Sequence, residues 1–189
     1  QNFTISVDNA NDVPLITSSP ILTVNEDDLY AYNVTSTDPD VGDVLELRAL
    51  SKPAWLTFSD NGDGTGLLSG TPTNSDVGSS SIVINVEDQD GANSNQNFTL
   101  SVQNINDQPV FTSSAVTAAL QDNIYIYNIT TTDPDAGDTR NITASVLPVW
   151  LTLTDNGNGT ATLSGTPDNG DLGVNAVVLR VQDQNTAFS

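Results

Sequence analysis

The chain has 189 residues, a formal net charge of −20, four basic side chains and no His, Cys or Met. So few basic groups exclude a nucleic-acid backbone and an anionic lipid surface as partners, since both are bound by Lys and Arg, and they leave cations as what the chain attracts. Without His or Cys the common nucleophile–base pairs are missing, so the chain reads as a non-enzyme.

Taken in order, Gln1-Asn-Phe-Thr-Ile-Ser-Val7 opens in mid-pattern, with apolar residues at every second position. Residues 1–12 read as the last strand and linker of a preceding or neighbouring module, and the chain as a fragment of something longer whose export signals lie outside it. From Val13 the apolar period stays at two: Tyr30, Tyr32 and Val34, then Ile82, Ile84 and Val86, then Phe98, Leu100 and Val102. A period of two marks strands with one face on a core and one in water. Strands are predicted over about 15–24, 29–37, 44–50, 54–59, 65–69, 79–88 and 95–103, separated by turn signals such as Asn61-Gly-Asp-Gly64. No segment holds a helical period beyond one turn, and no stretch approaches the ~20 apolar residues of a membrane span.

The same elements then return at a shift of 95 residues. Gln1-Asn-Phe-Thr-Ile-Ser-Val7 recurs as Gln96-Asn-Phe-Thr-Leu-Ser-Val102, Asn11-Asp-Val-Pro14 as Asn106-Asp-Gln-Pro109, and Thr37-Asp-Pro-Asp-Val-Gly-Asp43 as Thr132-Asp-Pro-Asp-Ala-Gly-Asp138. Trp55-Leu-Thr and Leu68-Ser-Gly-Thr-Pro72 also recur, at Trp150 and Leu163. An ungapped repeat of this kind decides the architecture. The fold predicted is all-β, two tandem seven-stranded Greek-key sandwiches. The first spans residues 13–107; the second, 108–189, is incomplete and lacks its last strand.

The informative carboxylates sit at strand ends. Asp38, Asp40 and Asp43 follow the second strand, Asp88 and Asp90 precede the last, and Asn9, Asn11 and Asp12 lie in the linker that enters the module. In a sandwich those three places share one end, so their oxygens can converge. Calcium takes six to eight such oxygens, and crowded carboxylates repel without a cation between them.

These residues carry a family resemblance. Asn106-Asp-Gln-Pro109 resembles the linker of cadherin repeats, Thr132-Asp-Pro-Asp-Ala-Gly-Asp138 their Asp-x-Asp loop, Asp183 the acid before their final strand, and Asn25-Glu-Asp27 their early Glu motif. Together with Pro53-Ala-Trp-Leu56, Asp60-Asn-Gly-Asp-Gly64 and Leu68-Ser-Gly-Thr-Pro72, the set is similar to dystroglycan-type cadherin-like and bacterial putative-immunoglobulin repeats. The resemblance implies Ca²⁺ at module junctions. At the junction between the two modules it implies Glu26, the linker residues Asn104, Asn106 and Asp107, and Asp133, Asp135 and Asp183. At the upper site of module 1 it implies Asn9, Asn11, Asp12, Asp38, Asp40 and Asp88. The chain departs from true cadherins in lacking their Asp-Arg-Glu run, Gly70-Thr-Pro72 standing in that region, and in having Gln121 where module 1 has Glu26. One or two ions per junction are expected rather than three.

Each feature also has a plainer reading. Asp38 and Asp40 fit a solvated turn capped by Asx hydrogen bonds. Asp60-Asn-Gly-Asp-Gly64 reads as a hairpin turn rather than a calcium loop, because Asp63 becomes Asn158 in the second copy. Trp55 and Trp150, each expected in a strand after a Pro, read as core or rim anchors rather than sugar platforms, and Asn74 and Asp76 as turn residues. Sequons occur at Asn2, Asn33, Asn97, Asn128, Asn141 and Asn158.

The function expected is a calcium-rigidified extracellular or cell-surface adhesion or stalk repeat. Its partners would be neighbouring modules of the same chain, other copies head to tail, or a cell-surface glycan or protein. The alternatives are a carbohydrate-binding or spacer module of a secreted polysaccharide-active enzyme, and a filament or surface-layer subunit assembled by strand complementation. In the last, Gln1–Asn9 of one copy completes module 2 of the next. The same pattern fits covalent continuation of a longer array, or an arbitrary cut that leaves residues 1–12 loose or packed on a neighbour.

Overall fold

The computed structural model describes residues 1–189, which divide into two compact units, Gln1–Ile105 and Asn106–Ser189. The first contains β1 (Leu15–Ile16), β2 (Thr23–Asn25), β3 (Tyr30–Thr37), β4 (Glu46–Ser51), β5 (Thr57–Asp60), β6 (Thr65–Gly70), β7 (Gly78–Glu87) and β8 (Asn93–Gln103), with one 3-10 turn at Asn74–Asp76. Two four-stranded sheets, β1-β3-β6-β5 and β2-β8-β7-β4, face each other. The connections cross between them, as in a Greek-key sandwich.

Alternation sets the core. Tyr30, Tyr32 and Val34 of β3 meet Leu68 from their own sheet and Leu47, Ile82, Ile84, Val86 and Leu100 from the other, all buried. The partners between them, Ala31, Asn33 and Thr35, are exposed. Burying whole Leu, Ile and Val side chains contributes about 1.5–3 kcal/mol each.

Two predicted boundaries are corrected. The strand expected over 15–24 is two strands in different sheets, β1 antiparallel to β3 and β2 parallel to β8. The switch falls at Pro20, which has no N–H to give a ladder; just before it, Thr17 and Ser18 both donate to the Thr35 carbonyl. The strand expected over 54–59 starts only at Thr57, because a turn closed by Leu56 N–H on the Pro53 carbonyl (3.3 Å) holds Pro53–Leu56. Trp55 therefore sits in a turn, half-buried, with its ring edge-on to Tyr30 at 6.3 Å.

The second unit has β9 (Val110–Phe111), β10 (Tyr125–Thr132), β11 (Arg140–Val146), β12 (Leu151–Asp155), β13 (Thr160–Gly165) and β14 (Val178–Asp183), with a 3-10 turn at Asn169–Asp171. One sheet is four-stranded, β12-β13-β10-β9; the other is β11-β14 alone, extended by a single bridge from Gln182 to Phe188. The fold is all-β, and no helix is long and apolar enough to cross a membrane.

The repeated Trp-Leu-Thr and Leu-Ser-Gly-Thr-Pro motifs are halves of one contact. A Cβ built on Gly70 would run into the Trp55 carbonyl, and one on Gly165 into that of Trp150. Gly70→Ala is expected to lower the stability of unit 1 by about 1–3 kcal/mol, the usual cost of overpacking a close approach, while unit 2 is unaffected. Denaturant unfolding followed by Trp fluorescence, with each unit's Trp replaced in turn by Phe, checks this.

Candidate metal centre

The loop that follows β3, the turn between β7 and β8, and the segment 9–12 meet at one end of unit 1. Asp40 is buried at their centre. Its two carboxylate oxygens accept from Asn9 Nδ2 and from the Asp12 backbone N–H, each at 2.7 Å. Asp88 is also buried. It accepts from the Asp90 and Ala92 N–H groups at 2.9 Å and from Asn11 Nδ2 at 3.0 Å. Asp38 caps the Asp40 N–H at 2.8 Å, so the Asx turn of the plainer reading is present.

That turn uses one oxygen of Asp38. Its Oδ2, and Oδ2 of Asp43, are buried with no hydrogen-bond donor. One oxygen each from Asp38, Asp40 and Asp43 lie within 4.8 Å of one another. Gly42, at φ 102°, turns the loop back so that Asp43 returns to the cluster; few side chains tolerate that conformation. Gln89 Nε2 donates to Asp43 Oδ1 at 3.1 Å.

Unit 2 repeats the arrangement. The Asp107 N–H donates to Asp135 at 2.7 Å, Asn106 Nδ2 to Asp183 at 2.9 Å, and the Asp135 N–H to Asp133 at 3.0 Å. Asp135 and Asp183 are buried. Asp133 Oδ2 and Asp135 Oδ1 have no donor, and Asp133, Asp135 and Asp138 converge within 4.8 Å. Gly137, at φ 92°, makes the same return.

Of the residues expected at the upper site of module 1, the structure brings together Asn9, Asn11, Asp12, Asp38, Asp40 and Asp88. In unit 2 it brings together Asn106, Asp107, Asp133, Asp135 and Asp183. In unit 1, Glu26 stands between β2 and β3 and Asn104 just after β8. Glu26 is buried, with Oε1 accepting the Ile105 N–H at 2.6 Å and Oε2 without a donor. The resemblance does not imply Asp43 or Asp138 as ligands, although Asp43 is among the strand-end acids expected to converge. The signal for them was the third Asp of each Thr-Asp-Pro-Asp-x-Gly-Asp run, whose Gly allows the return.

The other acidic motifs serve the backbone. Asp60 accepts from Leu47 and Gly62 N–H groups, and Asp63 from Thr65, so the 60–64 segment is a hairpin turn. Asp76 caps Thr73 in a capping box. Basic side chains do not answer the clusters: both ion pairs of the chain use Arg48, with Glu46 at 3.3 Å and Glu87 at 2.7 Å. The donor set is therefore carboxylate and amide oxygen throughout, with uncapped oxygens aimed inward. That fits a hard cation such as Ca²⁺.

Fold and site together define a tandem of two-sheet sandwiches, each with an oxygen-only cluster where its linker segment joins. The chain belongs to the Putative Ig domain family, whose model matches residues 13–103 and 108–189. No curated protein matches it. Among solved structures it is similar to protocadherin gamma B7 extracellular cadherin domains 1–4, at 15% identity and a TM-score of 0.60, covering 94% of this chain and 47% of that one. It is similar to the human desmocollin-1 ectodomain at 15% identity and 0.51, covering 96% and 36%. An endo-fucoidan hydrolase from glycoside hydrolase family 107 matches at 28% identity and 0.44, over 94% of this chain and 27% of that one. The chain thus spans under half the length of each of these proteins, and the cadherin likenesses show its fold.

The clusters perturb their own acids. Burial, then the charges of Asp38, Asp40, Asp90 and Asp88, hold the Asp43 carboxyl above its ordinary value. Burial raises Asp133, helped by Asp135, Asp138 and Asp183 and opposed by the Asp135 N–H. Burial also works to raise Asp88, but hydrogen bonds from Asn11, Ala92, Asp90 and Gly91 outweigh it, and the net shift is downward. For a raised carboxyl, the stability contribution is full below the ordinary aspartate pKa and is lost as pH rises through the folded value. For Asp88 it is present above the ordinary value and lost as pH falls through the folded one. In chelator, carbon-detected carboxyl NMR should show Asp43 and Asp133 titrating above ordinary aspartate and Asp88 below it. Asp43 titrating at or below Asp88 would contradict this electrostatic account.

Proposed function

We propose that this chain is a non-catalytic, calcium-binding segment of an extracellular or cell-surface stalk or adhesion protein. Residues 13–107 and 108–189 are successive modules, and residues 1–12 are the last strand and linker of the module before. The observation that supports this best is the set of buried carboxylate oxygens without donors, on Asp38 and Asp43 in one unit and on Asp133 and Asp135 in the other. Uncapped buried acids are costly unless a cation joins them. In unit 1 the ion would be held by Asp38, Asp40, Asp43 and Asp88 with Asn9, Asn11 and Asp12. In unit 2 it would be held by Asp133, Asp135, Asp138 and Asp183 with Asn106 and Asp107. The parts of Glu26 and Asn104 rest on the resemblance to cadherin-like linkers.

The ion neutralises acids that otherwise repel, and it ties the segments 9–12 and 106–107 to the sandwich they adjoin. Calcium modules outside the cell bind with Kd of about 10⁻⁴–10⁻³ M, and a ligand at 100 times its Kd adds about 2.7 kcal/mol per site. Tm is therefore expected to rise with millimolar calcium and to fall in chelator. The Asp43→Asn variant separates this from a general salt effect. It removes one repelling charge, so in chelator it melts at or above the parent, and in calcium below it. Equal melting of parent and variant in calcium would overturn the reading.

A further inference from the structure

Both clusters hold more than surface acids. Asp135 is 4% exposed and its Oδ1 has no donor; Asp40 is 8% exposed, beside the buried uncapped Oδ2 atoms of Asp38 and Asp43. A glutamine also serves each in the same way. Gln89 follows Asp88 and Gln184 follows Asp183, and each answers the third acid of its unit's Asp run. Gln89 Nε2 donates to Asp43 Oδ1 at 3.1 Å, and Gln184 Nε2 to Asp138 Oδ1 at 2.8 Å.

The residue after that glutamine differs: Asp90 in unit 1, Asn185 in unit 2. Asn185 gives its amide to the cluster. Its Nδ2 donates to Asn106 Oδ1 at 2.6 Å and to Asp138 Oδ2 at 3.4 Å. Two oxygens that could face an ion are thereby turned to an N–H. Ionised Asp90 has no side-chain hydrogen to donate. In unit 1 the second oxygen of the third acid, Asp43 Oδ2, stays buried with no donor. The Asp90 charge reaches that carboxyl: burial, then Asp38, Asp40 and Asp90, raise it above its ordinary value.

We propose that positions 90 and 185 set how tightly each unit holds its cation: the Asp90 carboxylate strengthens the unit 1 site, and the Asn185 amide weakens the unit 2 site. This rests on the calcium reading given above. Calcium affinity follows the number of charged ligands and the rigidity of the site. Asp90 adds a carboxylate to those of Asp38, Asp40, Asp43 and Asp88. Asn185 adds none, and its amide must release Asn106 and Asp138 before their oxygens can turn to an ion. Both side chains are exposed, so exchanging them alters the site and leaves the sandwich core intact.

The Gly42 and Gly137 amide resonances report one cluster each, so a calcium titration of the 189-residue chain followed by NMR reads the two sites separately. Asp90→Asn should raise the calcium concentration at the Gly42 midpoint about fivefold or more, the factor that one unit charge ~4 Å away gives even at the dielectric of water. Asn185→Asp should lower the Gly137 midpoint by a similar factor. Asp28→Asn removes the same charge before β3, at the strand end opposite the cluster, and should leave Gly42 in place. Either exchange leaving its own midpoint unmoved, or Asp28→Asn shifting Gly42 as far as Asp90→Asn does, would overturn the proposal while calcium binding itself stands. Glycine resonances that ignore calcium in the parent and in both variants would instead overturn the calcium reading, and this proposal with it.

Discussion

Asp40 in unit 1 and Asp135 in unit 2 bear the constraint on which the rest of each unit's end is built. Each is a carboxylate buried at the sandwich end, bonded to the backbone N–H of Asp12 or Asp107. Placing a charge there obliges its surroundings to supply donors. The segments 9–12 and 106–107 supply them, and so are drawn onto the sandwich. The donors do not suffice for the neighbours: Asp38, Asp43 and Asp133 keep buried oxygens with nothing to accept from. Four basic residues in the whole chain leave no side chain to correct the imbalance. The remaining source of positive charge is the solution, and Asp38, Asp40 and Asp43, like Asp133, Asp135 and Asp138, converge closely enough to hold a metal ion.

The sandwich core and its acidic end are separable. Tyr30, Val34, Leu68 and Ile84 bury themselves by alternation alone, and the contact between Gly70 and the Trp55 carbonyl locks the turn before β5 to β6. Neither uses the clustered acids. Core packing therefore holds each unit together, while hydrogen bonds to Asp40 and Asp88, and to Asp135 and Asp183, hold the segments 9–12 and 106–107.

Much of this was legible in the sequence, because two copies show which residues travel together. Period-two alternation located the long strands, β3, β7 and β8, within a residue or two, since burial on one face is what those residues encode. Shared loop ends place Asp40, Asp88 and Asn11 in one region from the sequence alone. What could not be read depends on contacts distant in sequence. The switch between sheets at Pro20 needs the partners Thr35 and Ser101 to be known. Trp55 was expected in a strand, and its turn is revealed only by Leu56 bonding back to Pro53. Asp43 is legible in the sequence as one of the converging acids, but the positive φ of Gly42 that returns it to the cluster is not.

The claim that the clusters hold a cation is tested most directly by calorimetric titration of calcium into chelator-stripped chain. The account predicts saturable binding with Kd of about 10⁻⁴–10⁻³ M, weakened in unit 1 by Asp43→Asn, in unit 2 by Asp138→Asn, and at both sites when the two are combined. A titration indistinguishable from dilution, or one that the combined variant leaves unchanged, would contradict it.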